Sequence, residues 1–409
     1  MSTAPTTSTR RGAPLTRLLR GALLLIATLL GLFAALAQLA AIIPVGWTKP
    51  LLRNDLAQTA FLLLGGLRDP LGSWNVALAV VAVLIALVAL RMRGRRRLAG
   101  AITLLAATGL ALALVTGVGL MVSVHSATGR WITFAPEIPY RQAGEPPTRT
   151  VEYATFDGVP LRADLYLPET AAPAPLVLSI HGGAFIMGHR GTNPYTTWLA
   201  DQGYAVLDID YRLADDRNHR WDTEEGDAAC ALTWANAYAA EFRLDMNRVA
   251  TMGGSAGGNL AINVANKVNA GALQPTCGTA ADLPKVRAVL ALYPAVDLTA
   301  SGTETAVGVD AARQYVGGPP SQFPDRFTAV DSGPHLTKAS PPTLIIQGGG
   351  DHLVLAEHSA AFAKRLADAG IPNSYVELPF LDHGFGGTSL DTGAQVTREL
   401  GLSWLRRYL

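Results

Sequence analysis

The chain has 409 residues, and its 33 basic and 32 acidic residues leave a formal net charge of +1. This length exceeds a single domain of about 100–200 residues. Basic residues interleaved with aromatic ones, which a nucleic-acid surface would need, are absent, and no segment resembles a metal site or a phosphate-binding loop. The sequence therefore predicts no cofactor and no nucleic-acid partner.

The charges are divided unevenly along the chain. Residues 1–124 contain 12 basic and 2 acidic residues, whereas the remainder contains 21 basic and 30 acidic residues. We therefore expect one region that lies in a lipid bilayer and one that lies in water. The predicted organisation is a membrane domain at 1–125, a linker at 126–149 and a second domain at 150–409.

Three segments without charged residues predict transmembrane helices, at about 21–46, 71–90 and 98–124. Each has enough residues, at 1.5 Å per residue, to cross a hydrocarbon core of roughly 30 Å. Four arginines precede the first segment and raise the alternative of a cleaved signal peptide: Arg10, Arg11, Arg17 and Arg20. Its uncharged stretch of about 28 residues is too long for that alternative.

The loop at 91–97 contains five arginines and sets the orientation. Basic loops between spans stay on the cytoplasmic side, so the basic N-terminal segment is predicted on that side and the connection at 49–72 outside. The last span then places the second domain on the extracytoplasmic side of a cell membrane. A shorter apolar run of 12 residues at 56–67 is interpreted as an interfacial or re-entrant piece. If it crossed instead, only the N-terminus would change sides, because the loop at 91–97 still fixes the last span.

Residues 150–409 alternate strand and helix patterns. Two alternating segments near 151–153 and 161–166 predict antiparallel opening strands. Four continuous apolar runs suit parallel strands buried on both faces: 176–180, 205–209, 286–292 and 343–346. Helical patterns separate them at about 224–241, 256–268 and 356–369. This alternation predicts an α/β fold whose ligand site lies at the C-terminal ends of the strands.

The first candidate site residue is a serine between glycines, in Gly253-Gly254-Ser255-Ala256-Gly257, where an apolar run gives way to a helical pattern. A serine on such a sharp strand-to-helix turn exposes its hydroxyl and directs the first helical amides at whatever it attacks. An ordinary tight turn is the alternative, because a chain with 41 glycines produces this pattern by chance. Further residues must therefore support the assignment.

Upstream, the strand pattern at 176–180 leads directly into His181-Gly182-Gly183. Attack on an ester carbonyl places negative charge on its oxygen, and fixed backbone N–H donors stabilise that charge. We assign the amides of Gly182, Gly183 and Ala256 as an oxyanion hole. A plain glycine turn is the alternative.

The candidate acid is Asp351, in a glycine-rich loop after the strand at 343–346. An aspartate there can accept a hydrogen bond from an imidazole and fix its tautomer. The alternative role of Asp351 is an N-cap for the following helix, and Glu357 is the fallback acid.

The candidate base is His383, which lies in a loop after the last strand pattern at 374–378. This position gives the order nucleophile, acid, base that the serine-turn motif requires. His352 is a weaker candidate because it adjoins the acid instead of facing the serine.

Five ordered motifs carry a family resemblance: His181-Gly182-Gly183, Asp210-Tyr211-Arg212, the glycine-flanked serine at 253–258, Asp351-His352-Leu353-Val354 and His383-Gly384-Phe385. Over about residues 150–409 the chain resembles the hormone-sensitive-lipase-like esterases of the α/β-hydrolase superfamily, especially the acetyl-esterase and feruloyl-esterase-like branch. It departs from many members at Ala184, where they have a third glycine, and at Gly254, where they have an acidic residue. Because of these two departures, the resemblance does not define the subfamily, and therefore it does not define the substrate.

Other features are interpreted as structural. Asp210-Tyr211-Arg212 is expected to brace the loop at His181 through an arginine–carboxylate or backbone contact. The stretch at 299–339 is expected to form a small cap. Cys230 and Cys277 are either two reduced thiols or, in an exported domain, a disulfide.

Together these features predict a membrane-anchored serine carboxylesterase that acts on small or short-acyl esters through Ser255, His383, Asp351 and an acyl-enzyme. The expected partners are a small-molecule ester and the lipid bilayer. An amidase, peptidase or lipase with the same three residues is the alternative, and a non-catalytic binding module on the same scaffold is a remote one. The oligomeric state stays open.

Overall fold

The N-terminal part of the chain is helical in the computed structural model, which describes residues 12–132, 146–278, 283–387 and 391–409. Its helices are α1 (Gly12–Ile42), α2 (Val45–Thr48), α3 (Asp55–Arg68), α4 (Trp74–Arg91) and α5 (Arg96–Thr128). Helices α1, α4 and α5 are long and apolar enough to cross a membrane. Single 3₁₀ turns at Lys49–Leu51 and Asp69–Leu71 precede and follow the short helix α3.

The long helices differ from the predicted spans at their ends. The first span was expected to continue to about 46, but α1 ends at Ile42, since Pro44 lacks an N–H and disfavours helical geometry in the residue before it. Helix α4 begins three residues later than predicted, and α5 extends to Thr128, into the predicted linker. Residues 133–145 of that linker lie outside the described residues.

Small residues let α1 and α5 approach closely. A Cβ added to Gly31 would lie 3.1 Å from Ala106 Cα, and one added to Gly109 would lie 2.9 Å from Ala34 Cβ. Such contacts are typical of helices packed within a bilayer. At one end of this bundle Arg20 donates to the carbonyls of Ala89 and Arg95, at 3.1 and 3.0 Å. The start of α1 and the loop at 91–97 therefore lie at the same end.

An eight-stranded sheet forms the centre of the C-terminal part, in the order β1-β2-β4-β3-β5-β6-β7-β8. The strands are β1 (Arg149–Phe156), β2 (Val159–Tyr166), β3 (Ala174–Ile180), β4 (Ala205–Ile209), β5 (Leu244–Gly254), β6 (Val286–Leu292), β7 (Thr343–Gly348) and β8 (Asn373–Leu378). The β1–β2 and β2–β4 pairs are antiparallel and the other pairs are parallel. The predicted mostly parallel sheet with antiparallel opening strands is confirmed.

Helices cover both faces of this sheet. The helices of this part are α6 (Thr196–Asp201), α7 (Glu224–Ala237), α8 (Ala239–Phe242), α9 (Ala256–Asn269), α10 (Leu298–Glu304), α11 (Ala306–Ala311), α12 (Pro324–Val330), α13 (Ala356–Asp368) and α14 (Thr392–Tyr408), of which α10, α11 and α12 lie outside the two faces. Alternation along β3 separates two cores: Leu176 and Leu178 face α7, α9 and α13, whereas Val177 faces α6 and α14. The end of α5 joins the second core through Leu120 and Val124.

The structure decides two expectations, the small cap at 299–339 and the state of the two cysteines. Residues 299–339 fold into short helices, and Val307 and Val309 of α11 line the same cavity as Ser255. This segment therefore covers part of the cleft. Cys230 and Cys277 form a disulfide, with their Cα atoms 5.9 Å apart, within the usual range for such bonds.

Candidate active site

Ser255 lies on the turn between β5 and α9. Its φ of 57° and ψ of −124° are strained for a residue with a side chain. The glycines two positions before and after the serine leave no room for a side chain. A Cβ on Gly253 would lie 2.2 Å from Gly257 O, and one on Gly257 would lie 2.1 Å from Ile180 O. The sequence therefore folds here into a tight turn that presents the serine hydroxyl.

A chain of hydrogen bonds joins the three predicted site residues. His383 Nε2 lies 2.9 Å from Ser255 Oγ, and His383 Nδ1 lies 2.9 Å from Asp351 Oδ2. Asp351 is fully buried. The serine follows β5, the aspartate follows β7 and the histidine follows β8, so parallel strands bring together residues that are far apart in the sequence.

Asp351 holds its loop as well as the imidazole. Its Oδ1 accepts from the amides of Leu353 and Val354, at 2.9 and 2.8 Å, while its Oδ2 also accepts from Gln347 Nε2 at 2.9 Å. The N-cap of α13 is Leu355, so Asp351 caps the preceding turn and not the helix itself. Sequence reasoning missed Gln347, whose only signal is a polar residue at the end of an apolar strand.

The environment of His383 tunes its proton affinity. Burial alone would lower the pKa of the imidazole, but the adjacent Asp351 carboxylate, with a contribution from Asp382, raises the pKa above its ordinary value of 6.5. The ring is then a stronger base than a free histidine. It is neutral, and able to accept a proton from Ser255, only above that raised pKa.

The two alternative site residues have other contacts. His352 Nδ1 bonds Asp382 Oδ2 at 2.8 Å, and its ring stacks on Phe61 with centroids 4.4 Å apart. Glu357 is exposed and pairs with Lys49 at 2.6 Å. Neither residue, among the contacts of the described residues, touches Ser255.

The proposed oxyanion amides surround the serine. A Cβ on Gly182 would lie 2.8 Å from Gly254 O, and one on Gly183 would lie 2.0 Å from Met187 O, so neither position has room for a side chain. Within the described residues, the amides of Gly182, Gly183 and Ala256 have no acceptor. Ala184 follows these two glycines, and its φ of 53° is in the region that favours glycine.

The loop at His181 is braced by a tyrosine. Tyr211 Oη donates to His181 O at 3.1 Å, and the two rings stack with centroids 4.2 Å apart. The expected brace is confirmed: Tyr211 makes the backbone contact, and the Asp210 carboxylate pairs with Arg190 of the same loop. Arg212 itself bonds the buried carboxylate of Asp227, at 2.9 and 2.6 Å. The arginine therefore ties the strand end to α7.

Ser255 opens to two cavities. The larger, of about 900 Å³, is within the range of small-molecule sites. Its walls include residues of the C-terminal part and two of the N-terminal part: Met187, Tyr195, Tyr293, Val307, Val309, Arg53 and Asp55. The smaller, of about 40 Å³, is largely apolar and is lined by Ala184, Phe185, Ala256, Ala295, Leu298 and Leu353.

Helix α3 packs against the loop that carries the acid. Gln58 is buried and donates from Nε2 to His352 O at 2.9 Å, while its Oε1 accepts from the amide of Val307 at 2.9 Å. One side chain therefore joins the N-terminal part to the acid loop and to α11. Sequence reasoning missed this contact, and its signal is a single glutamine within the apolar run at 56–67.

The end of α3 holds the loop that carries the base. Arg68 and Asp69 form a buried ion pair, and Arg68 donates to Phe380 O. Asp69 Oδ2 accepts from the amide of Asp382 at 2.7 Å. A Cβ on Gly65 would lie 2.5 Å from Asp382 Cβ, so glycine permits this close approach.

Asp382, held by Asp69, in turn bonds the backbone of both histidines. Its Oδ1 accepts from the amides of His352 and His383, at 2.9 and 2.7 Å. Asp69 is therefore linked to the acid loop and to the base loop through one residue, Asp382, whose buried carboxylate bonds both loops. Neither Asp69 nor Asp382 was identified from the sequence.

Comparisons with known proteins agree with this fold and site. The BD-FAE family model matches residues 163–366. Esterase LipC of Mycobacterium tuberculosis is 34% identical over 218 residues, which is 52% of this chain and 53% of LipC. Esterase LipI of the same organism is 30% identical over 269 residues, which is 60% of this chain and 78% of LipI.

Solved structures show the same architecture. A bacterial heroin esterase superposes with a TM-score of 0.53 at 25% identity, covering 63% of this chain and 83% of that protein. The fold and the serine turn define an α/β hydrolase. The chain belongs to the esterase branch of that superfamily, in which its relatives are named esterases and carboxylic ester hydrolases. It spans about half the length of LipC.

Proposed function

We propose that the protein is a membrane-anchored serine carboxylesterase that hydrolyses small or short-acyl esters. The observation that carries this proposal is the hydrogen-bonded chain from Ser255 Oγ through His383 to Asp351, at the base of a ligand-sized cavity. Its relatives in the esterase branch support ester chemistry.

The geometry suggests a two-step reaction. His383 Nε2 takes the proton of Ser255 as Oγ attacks the ester carbonyl, while Asp351 holds the imidazole in the required tautomer. The amides of Gly182, Gly183 and Ala256, which have no acceptor within the described residues, are the donors proposed to stabilise the oxyanion. His383 then returns the proton to the leaving alcohol, and water attacks the acyl-enzyme to release the acid.

The smaller cavity supports a preference for short acyl groups. Its volume of about 40 Å³ adjoins Ser255 and is bounded by Phe185 and Leu298. A pocket this small and apolar favours a short acyl group over a long chain. The alcohol then occupies the larger cavity.

The N-terminal part supports the membrane anchor and its orientation. Three helices are long and apolar enough to span a bilayer. The basic loop at 91–97 lies at the same end of the bundle as Arg20, which favours a cytoplasmic location for both and an extracytoplasmic catalytic domain. The Cys230–Cys277 disulfide supports the same side, since disulfides persist in oxidising compartments.

The proposal is tested with Ser255→Ala in the full-length protein, purified in detergent. We expect turnover of p-nitrophenyl acetate to fall by about 10⁴-fold or more, because the nucleophile is lost. The matched control is Ser403→Ala, an exposed serine on α14, which keeps wild-type turnover. Full activity in Ser255→Ala would contradict the mechanism, and a matched p-nitroacetanilide assay decides between ester and amide hydrolysis.

A further inference from the structure

The segment between α1 and α4 has an apolar outer surface. Five of its large apolar side chains are mostly exposed: Trp47 (78%), Leu51 (52%), Leu56 (81%), Leu63 (60%) and Leu67 (58%). Leu56, Leu63 and Leu67 are separated by seven and by four residues, so they share one face of α3. We call these five residues the interspan apolar surface.

The opposite face of α3 is turned towards the protein. Gln58, Gly65 and Arg68 are buried there against the loops that carry the acid and base. The helix therefore cannot turn its leucines inwards without losing these contacts. Both ends of the segment continue into helices that are long and apolar enough to cross a membrane, so a bilayer spanned by these helices would have its surface near the exposed leucines. Trp47 is of the type enriched at membrane interfaces.

The same segment forms part of the rim of the catalytic cavity. Arg53 and Asp55 line that cavity, and the amide of Ala306 donates to Leu52 O at 2.8 Å, which joins the segment to α11. Val309 and Met187, also in the cavity lining, are 42% and 60% exposed. The rim of the cavity therefore combines exposed apolar side chains with Arg53 and Asp55, and it lies beside the interspan apolar surface.

These observations lead to one inference, which rests on the proposed function. We propose that the interspan apolar surface lies in the outer leaflet, and that the cleft hydrolyses short-acyl esters of alcohols embedded in that leaflet. The small cavity beside Ser255 takes the acyl group, and the large cavity, open towards the lipid, takes the alcohol. Attack by Ser255 breaks the ester bond and returns the protonated alcohol to the bilayer; water then cleaves the acyl–Ser255 bond, regenerates the serine and releases a short carboxylic acid to the aqueous side.

The substrate class is tested with two esters of opposite arrangement in phosphatidylcholine vesicles that contain the full-length protein. Hexadecyl acetate has a short acyl group and a long alcohol, whereas ethyl palmitate has the reverse. We expect hexadecyl acetate to be hydrolysed about tenfold faster or more, since each misplaced methylene is penalised in a small pocket. Equal rates, or faster hydrolysis of ethyl palmitate, would overturn the assignment.

The role of the surface is tested with Leu56→Glu/Leu63→Glu, which puts charge on the lipid-facing side. The readout is the ratio of hexadecyl acetate hydrolysis in vesicles to hydrolysis of soluble p-nitrophenyl acetate. We expect this ratio to fall about tenfold, as two leucines lose their contact with lipid. Val159→Glu, at a 63% exposed valine of the catalytic domain, is the matched control and keeps the wild-type ratio.

An unchanged ratio in the double variant would overturn the proposal. Turnover of p-nitrophenyl acetate reports folding and esterase chemistry separately. If wild-type protein hydrolyses no ester, the proposed function fails; if it hydrolyses the soluble ester but does not discriminate between the two lipid esters, only this inference fails. The single variants Leu56→Glu and Leu63→Glu provide the same readout should the double variant not fold.

Discussion

The nucleophile side and the acid–base side of the site are supported by different parts of the chain. Ser255 and its surrounding glycines are fixed by the β5–α9 turn, and Tyr211 braces the neighbouring loop, all within the C-terminal part. The loops of Asp351 and His383 instead bond the segment between two long apolar helices: Gln58 of α3 donates to His352 O, and Asp69, just after α3, accepts from the amide of Asp382. The difference suggests that the N-terminal part shapes the catalytic site, a role separate from the proposed membrane anchoring.

The largest effect is expected from Asp351→Asn, within the acid–base side itself. Loss of the carboxylate disturbs the tautomer of His383, and turnover should fall by about 10⁴-fold. In the wild-type protein the raised pKa of His383 places the acid limb of the kcat/KM profile above pH 6.5. Removing the negative charge lowers that pKa, so the acid limb of the residual activity should move to lower pH. A limb that does not move would contradict the assigned cause.

Asp69→Ala should have the next largest effect, although Asp69 lies outside the C-terminal part. The substitution leaves Arg68 buried without its carboxylate, a change that costs about 3–5 kcal/mol, and frees the loop of His383. We expect a lower unfolding temperature and a kcat for p-nitrophenyl acetate reduced by about tenfold. Asp368→Ala, at an exposed pair with Lys364, is the control with little expected effect. Wild-type kcat in Asp69→Ala would show that the acid–base side does not depend on the N-terminal part.

Gln58→Ala should be milder. It leaves the buried His352 O and the partly buried amide of Val307 without a partner, at a cost of about 1–3 kcal/mol. We expect lower stability and a turnover reduced several-fold, measured by thermal unfolding and p-nitrophenyl acetate hydrolysis. Thr59→Ala, at the next and exposed position, should leave both unaltered. Equal behaviour of the two variants would show that Gln58 provides no support.

The smallest effect is expected at Lys49, whose ammonium joins Glu304 of α10 to Glu357 of α13, at 2.8 and 2.6 Å. These groups are partly exposed, so Lys49→Met should cost about 0.5–1 kcal/mol. The difference from wild type should shrink as salt screens the pair, which thermal unfolding at low and high salt will measure. A loss of stability larger than that caused by Gln58→Ala would reverse the expected order of the two substitutions.

The sequence predicted those features that depend on local pattern. Continuous apolar runs located the parallel strands, and the site candidates at Ser255, Asp351 and His383 were chosen because each follows a strand pattern. Hydrogen bonds join these three side chains, while their catalytic roles stay predictions. The end of α1 was missed, although Pro44 is a local signal for it.

Contacts between distant segments could not be predicted from pattern. Gln58 and His352 are 294 positions apart, and Asp69 and Asp382 are 313 apart. Nothing in the apolar run at 56–67 specifies which surface it covers. The choice of Tyr211 over Arg212 as the brace likewise depends on where α7 places Asp227, which only the packed fold decides.

The most direct test of the account is the rate at which a fluorophosphonate labels Ser255 in the full-length protein, followed by peptide mass spectrometry. This rate reports activation of the serine independently of acyl-enzyme hydrolysis. The account predicts labelling at Ser255 in wild-type protein, and labelling slowed about tenfold in Asp69→Ala, because the loop of the base is no longer held. Labelling at another residue, or an equal rate in folded Asp69→Ala, would contradict it.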